Sequence, residues 1–471
     1  MVSCEPVKEV GTSSAARLDQ IQVIEVCRTN LDAIWPYLLV SLKQADFIAV
    51  DLELSGLGSR QASCAKNVGD RYAALCEAAK TRGILSFGLA FFKKTGQSDS
   101  KRRLKFSSQV FNILSLCAEP FTVEPESLEF LSRHSFDFNR MINLGVRYYP
   151  STVSKACPLR SLMTQLLSRG APMLFHNGLV DIAFLYHHFY SPLPESYGQF
   201  CNALADLFPP ESPVCDAKYL AEYHTRMSGS FLEYVFRRCQ GDNIRESLEP
   251  RWHLKITFDD TTSMMAPIRD ACETVDCRLP EDFPYHPLPL DLAEKVCEQF
   301  SNHGFCRKQR QGQCLLLHDV DFAIELEQIR QGKNRKRRKR RFDHLKPDSM
   351  LEKERLEEEQ KEARRERVSV EDLKNKPRIA VTVIVVGCHR AGVDAFMTGY
   401  AVLFQSRLHL CREGKLDSEH VNRIPLSGKQ EPFIIQSTQF SGNCSKHENR
   451  FAEIQSARSK RSTAAASQSS S

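Results

Sequence analysis

The segment Phe47 to Gly56, Phe-Ile-Ala-Val-Asp-Leu-Glu-Leu-Ser-Gly, constrains this chain more than any other. Its apolar run reads as a buried strand, yet Asp51 and Glu53 interrupt it two residues apart. Side chains alternate along a strand, so both carboxylates face the same side. Two acids that close repel each other unless a cation lies between them. Carboxylate oxygens suit Mg²⁺ or Mn²⁺, and Gly56 and Gly58 turn the chain so that the acids stand at an exposed strand end. The stretch alone is equally compatible with an edge strand carrying two solvated acids.

The flanking sequence reads as alternating strands and helices. Ile21 to Val26 alternates as a strand, Leu31 to Leu42 has helical periodicity with Asn30 as its N-cap, and Arg71 to Arg82 is helical. Ile84 to Phe92 and Gln109 to Leu116 are two more strands, joined by a polar, basic connection that suits a hairpin. Leu159 to Ser168 is an amphipathic helix, followed by a short strand from Pro172 to Phe175. A helix capped by Asn177 comes next and places Asp181 in its first turns, where an acid also simply complements the helix dipole. Asp216 reads as the N-cap of a further helix, and the sequence beyond Gly241 as an irregular, Pro-rich linker in which Cys272 and Cys277 are ordinary thiols.

Composition narrows the class. A length of 471 residues suggests two or three units. The longest aliphatic run, Ile379 to Val386, is too short to cross a bilayer, so no membrane association is expected. The N-terminus lacks a basic segment followed by an apolar one, and the 17 scattered cysteines read as reduced thiols, so cytosol or nucleus is expected. The net charge of +6 is concentrated in one block, Lys333, Arg335, Lys336, Arg337, Arg338, Lys339, Arg340 and Arg341, without which the remainder is slightly acidic. Such a run serves as a nuclear import signal or a phosphate-binding patch. Met350 to Arg367 then alternates acid and base as an exposed linker helix.

Cys297, Cys306, Cys314 and His318 lie in a segment too short to build a core, and three thiolates with one imidazole fit a single tetrahedral Zn²⁺ that would supply the folding energy. Phe300, His303 and Phe305, with Arg307, Lys308 and Arg310, offer ring faces and charge to unpaired bases, and a purely structural zinc knob fits as well. The resulting division is a disordered N-terminus at 1–20, a main domain at 21–285, the Cys/His module at 293–320, the basic run and charged linker at 321–377, the rest of the main domain at 378–442 and a disordered tail at 443–471.

The acids occur in equivalent contexts. Asp51, Glu53, Asp181 and Asp394 each stand at a strand end or a helix start, and His389 lies in the loop before Asp394. Four carboxylates can hold the two cations of a phosphodiester-cleaving site, and a histidine can take a proton from water at neutral pH. Asp51-x-Glu53, His176-Asn-Gly-Leu-Val-Asp181 and His389-Arg-Ala-Gly-Val-Asp394 resemble the three exonuclease motifs of the histidine-bearing branch of the DEDD superfamily. The chain is similar to the poly(A)-specific ribonuclease-like deadenylases, among them nuclear members with a CCCH finger and a basic run between the second and third motifs.

The resemblance implies an α/β, RNase H-like fold, a mixed central sheet flanked by helices, with the CCCH finger inserted. It implies that Asp51, Glu53, Asp181 and Asp394 bind two Mg²⁺ (or Mn²⁺) ions and that His389 is the general base. It further implies release of 5′-AMP from RNA with oligo(A) or poly(A) 3′ ends, small nuclear RNA precursors among them. The implied location is the nucleus, in nucleoli, Cajal bodies or speckles, reached through an import receptor. A catalytically silent RNA-binding or growth-regulatory adaptor that works through the finger is the alternative left open.

Overall fold

The computed structural model describes residues 16–279, 283, 295–343 and 390–469, without the side chains of 332–343 and 461–469. The chain forms two units, one of Met1–Pro284 with Val385–Ser471 and the other of Tyr285–Ile384.

In the larger unit the apolar runs become a nine-stranded mixed sheet. Its strands are β1 (Gln20–Val26), β2 (Phe47–Leu54), β3 (Ile84–Ser98), β4 (Arg103–Cys117), β5 (Val146–Tyr148), β6 (Met173–Phe175), β7 (Val214–Asp216), β8 (His253–Thr257) and β9 (Cys272–Asp276). The order is β7-β6-β2-β3-β4-β1-β9, with β5 and β8 also paired to β4. Strands β2, β3 and β4 run antiparallel to their neighbours in the meander, while β6 lies parallel to β2 and β1 parallel to β4. From Ile84 to Phe92 every residue of β3 is buried, as expected of a strand covered on both faces. Beyond Phe92 the exposure alternates, so the rest of β3 and the start of β4 form the hairpin arm.

Helices α1 (Leu31–Gln44), α2 (Val68–Thr81), α3 (Pro158–Arg169), α4 (Leu179–Leu185), α5 (Tyr197–Leu207) and α6 (Leu232–Leu248) flank the sheet. In the smaller unit α7 spans Val320–Asp343; α8 (Ala391–Gln405) and α9 (Ser445–Ser469) return to the larger one. All residues of α8 are buried, and it packs against β2, β3, β4 and α6. A helix that is apolar on every side belongs in the centre of a domain, and α8 carries the third motif there.

Four expectations are corrected. The stretch beyond Gly241 is no linker: α6 continues to Leu248, and β8 and β9 join the sheet beside β4 and β1. Two short strands lack enough length to show a period, and partner strands decide their fate. The tail expected to be unstructured forms α9, which packs on α3 and α5 and buries His447 and Ile454 completely. Its Ser- and Lys-rich composition hides His447, Phe451 and Ile454 at helical spacing. Within the expected N-terminal disorder, Ala16 and Leu18 are buried and Arg17 donates to the Leu279 carbonyl, so order begins before residue 21. Asn30 stands at the start of α1, but its side chain bonds backward, accepting from Cys27 N–H and donating to the Glu25 carbonyl.

Within the smaller unit, Leu317 N–H donates to the Lys295 carbonyl and Cys297 N–H to the Leu317 carbonyl, closing the Cys/His segment on itself. The basic block continues the backbone of α7. Met350 to Arg367 and Ile379 to Val386 lie outside the described residues. Among the described residues no helix is long and apolar enough to cross a membrane.

Candidate active site

Asp51 and Glu53 leave β2 on the face covered by α8, and Asp394 stands in the first turn of that helix. The structure brings the three together: carboxylate oxygens of Asp51, Glu53 and Asp394 lie within 4.8 Å of one another. Glu53 and Asp394 are buried, whereas Asp51 keeps part of its surface. Burial pushes the Asp51 carboxyl well above the usual carboxylate range, and the charges of Asp394, Asp181 and Glu53 push it further. Asp181 is not one of the three closest acids, but the field at Asp51 includes it. Three of the four predicted carboxylates thus meet, and the charge of the fourth, Asp181, is felt at Asp51.

Asp181 sits in the first turn of α4 and has the backbone N–H of Leu52, the residue between Asp51 and Glu53, as a hydrogen-bond donor. Burial raises its carboxyl to about 7; its own N–H and that of Leu52 oppose the rise, and the charge of Asp216 adds to it. Asn177 does not cap this helix. It adopts φ 59°, and Gly178 takes the cap position.

Asp216 was legible only as a cap, and it is one: Oδ1 accepts from Lys218 N–H at 2.9 Å and from Tyr219 N–H at 3.0 Å. Its other oxygen, Oδ2, accepts from Gly178 N–H at 2.9 Å. The fully buried acid thus ties the end of β7 to the turn that launches Asp181. A cap signature cannot reveal that second task, because the partner lies 38 residues away.

The turn after the acidic strand is also fixed from a distance. Leu57 and Gly58 donate their N–H groups to Glu124 at 3.0 and 2.9 Å, and Arg82 pairs with the same carboxylate. Burial opposes ionisation of Glu124, but these donors hold its carboxyl below the ordinary value. His389, the expected general base, lies outside the described residues, one position before Arg390.

The donor set fits divalent cations. Hard, convergent carboxylate oxygens with raised proton affinity are what Mg²⁺ or Mn²⁺ would relieve, and Asp51, Glu53, Asp181 and Asp394 would hold them.

In the smaller unit the second predicted cluster also assembles: ligand atoms of Cys297, Cys306, Cys314 and His318 lie within 4.8 Å of one another. Desolvation opposes ionisation of Cys306, yet hydrogen bonds from Gln309 N–H, His318, Cys297 and Cys314 hold its thiol down to about 6. A thiolate near neutral pH fits zinc coordination. Phe300 meets His318 edge-on, and Arg310 lies over the Phe305 ring.

The family model described as CAF1 family ribonuclease matches residues 26–157 and 149–402. The poly(A)-specific ribonuclease PARN of Arabidopsis thaliana is 28% identical over 154 residues, 31% of this chain and 22% of that protein. Its Homo sapiens counterpart is 29% identical over 134 residues, 26% of this chain and 21% of that protein. The chain thus spans about a fifth of the length of the curated relatives it matches. Among solved structures, S. pombe Pop2p in its Mg²⁺- and Mn²⁺-bound form aligns with a TM-score of 0.36 at 19% identity, covering 46% of this chain and 82% of that one. With Asp51, Glu53 and Asp394 brought together and the family model matching most of the chain, the protein belongs to the CAF1 ribonuclease family.

Proposed function

We propose that this protein is a 3′-5′ exoribonuclease that removes adenosine tails from RNA 3′ ends and releases 5′-AMP. The observation that carries the reading is the convergence of Asp51, Glu53 and Asp394, with Asp181 acting on the same point. Family membership and the poly(A)-specific ribonucleases among its relatives support the substrate class. Two bound Mg²⁺ or Mn²⁺ ions would supply positive charge that eases deprotonation of water and offsets the negative charge developing on the leaving oxygen. The chain itself presents the carboxylates from β2, α4 and α8; α4 shares a buried core with β2, and α8 packs directly on β2, so their spacing is set before any ligand arrives. His389 serves as general base, the role its place in the third motif assigns it. Incubating the full chain with oligo(A) RNA and Mg²⁺ tests this: AMP release that Asp51→Ala abolishes supports it, and equal release by both proteins overturns the metal assignment.

The finer reading extends the same proposal. Cys297, Cys306, Cys314 and His318 hold one Zn²⁺, and the surrounding rings and cations contact RNA. The block from Lys333 to Arg341 directs the protein through an import receptor to the nucleus, where nucleoli, Cajal bodies or speckles and small nuclear RNA precursors are its setting. Deleting residues 333–341 should leave the protein cytoplasmic; undisturbed nuclear accumulation would assign the block to RNA phosphates instead.

The assembled Cys/His cluster favours one second reading, a catalytically silent RNA-binding adaptor. That reading expects His389→Ala to leave cellular function intact while Cys314→Ser abolishes it. The opposite pattern eliminates it.

A further inference from the structure

A straight cross-strand row connects the metal-ligand candidates to a buried polar cluster. Asp51 on β2 faces Gly88 on β3, Gly88 faces Asn112 on β4, and Asn112 faces Glu25 on β1. Directly opposed residues share a face of the sheet. The start of the third motif lies over this row, strand by strand. Arg390 reaches Glu25 with Nη1 at 3.4 Å from Oε1, Gly392 donates its N–H to Asn112 Oδ1 at 3.2 Å, and Ala391 lies over Gly88. Asp394 ends beside Asp51.

The polar end of the row is closely bonded. Asn112 Nδ2 donates to Glu25 Oε2 at 3.0 Å, and Ser86 Oγ donates to Asn112 Oδ1 at 3.0 Å. Glu25, Asn112 and Ser86 are all buried. Arg390 also meets Glu273 at 2.5 Å, and Arg140 stands 3.9 Å from Glu25 and 3.7 Å from Glu273, so two acids and two arginines alternate. Burying Glu25 is costly on its own and raises its carboxyl, and Asn112, Arg390 and Arg140 offset part of that cost. None of these groups touches the reacting phosphodiester in the proposed mechanism, yet Glu25, Glu273 and Asn112 bond the segment that carries Asp394.

We propose that Asn112 and Arg390, anchored on the buried Glu25, are positioning residues that set the register of the third motif over the sheet and so fix Asp394 opposite Asp51. The inference rests on the nuclease reading. Its physical content is that the metal site depends on bonds made to the opposite end of the row from Asp51.

Arg390→Met and Asn112→Ser test it, the first on a partly exposed side chain, the second retaining a small polar group. Mn²⁺ binding is measured by electron paramagnetic resonance on the full chain without RNA, beside the Mg²⁺ concentration for half-maximal AMP release. Outer-shell partners of metal ligands typically contribute 10–100-fold in affinity, so both readouts should weaken by about ten-fold or more while KM for oligo(A) holds. Arg390→Lys, which keeps one cationic donor, should recover part of the loss. Unchanged Mn²⁺ affinity in both variants overturns the proposal, as does a raised, salt-dependent KM with normal Mn²⁺ binding, which would make Arg390 an RNA contact. Wild-type protein that binds Mn²⁺ but releases no AMP would defeat the nuclease reading and leave the positioning role to be judged on Mn²⁺ binding alone.

Discussion

The carbonyl oxygen of Ala391 stands 1.9 Å from where a Cβ on Gly88 would be. The backbone of the third motif therefore rests directly on that of β3, at the position opposite Asp51. Only a residue without a side chain permits this contact. Gly88→Ala should displace the start of α8, destabilise the protein by about 3 kcal/mol and abolish activity. Urea unfolding with an AMP-release assay checks this; a fully active, equally stable variant would show that α8 does not sit this close.

Asp216 holds the second motif in the same indirect way. Asp216→Asn would set an amide N–H or a weaker oxygen against Gly178 N–H, leaving a buried donor badly served at a cost of about 2 kcal/mol. Because the turn at Asn177 and Gly178 launches Asp181, activity should fall more than stability explains. The comparison to make is kcat at a temperature where circular dichroism shows the variant folded.

The acidic site should make the metal-free protein respond to pH. Asp51 is raised well above the ordinary range and Asp181 to about 7. A folded-state value above the unfolded one means that the folded form holds protons the unfolded form releases. This stability is fully present below the unfolded value of about 3.9 and is lost as pH rises through about 7. In a chelator, Tm should fall between pH 5 and pH 8, and Mg²⁺ should restore it at pH 8 by about 5 °C. Identical melting with and without Mg²⁺ at pH 8 would mean that these carboxylates bind no cation.

Helix α9 should matter for stability alone. Ile454 is fully buried, and His447 donates or accepts between Asp206, Tyr186 and Tyr190 at 3.1 to 3.3 Å. Ile454→Ala should cost about 2 to 4 kcal/mol. AMP release at 25 °C should be unchanged, which a chemical-denaturation curve and a single assay together establish.

The Cys/His cluster should bind one Zn²⁺ per chain, counted by elemental analysis, and Cys306→Ser should remove it. AMP release from short oligo(A) should persist in that variant, since the carboxylates belong to the other unit.

The acids of the site were legible because their chemistry breaks a pattern. A carboxylate pair inside Phe47 to Leu54 and acids at two helix starts are conspicuous against apolar surroundings. The Cys/His cluster was legible by residue type and spacing. The supports were not legible. Asn112 and Glu25 look like ordinary strand residues until β1 and β4 pair, and Asp216 shows its cap but not its bond to Gly178. Helix α9 was hidden because three apolar or aromatic residues in a polar tail carry little signal until α3 and α5 cover them. Partners far apart in the chain decide such residues, and periodicity reports only on neighbours.

The account depends most on four carboxylates acting as one metal site. Full-length protein, oligo(A) RNA and Mg²⁺ should yield 5′-AMP one nucleotide at a time from the 3′ end, and Asp51→Ala, Asp181→Ala and Asp394→Ala should each reduce the rate by about a thousand-fold or more. Undiminished AMP release from any of the three variants, or none from the wild-type protein with Mg²⁺ or Mn²⁺, would contradict it.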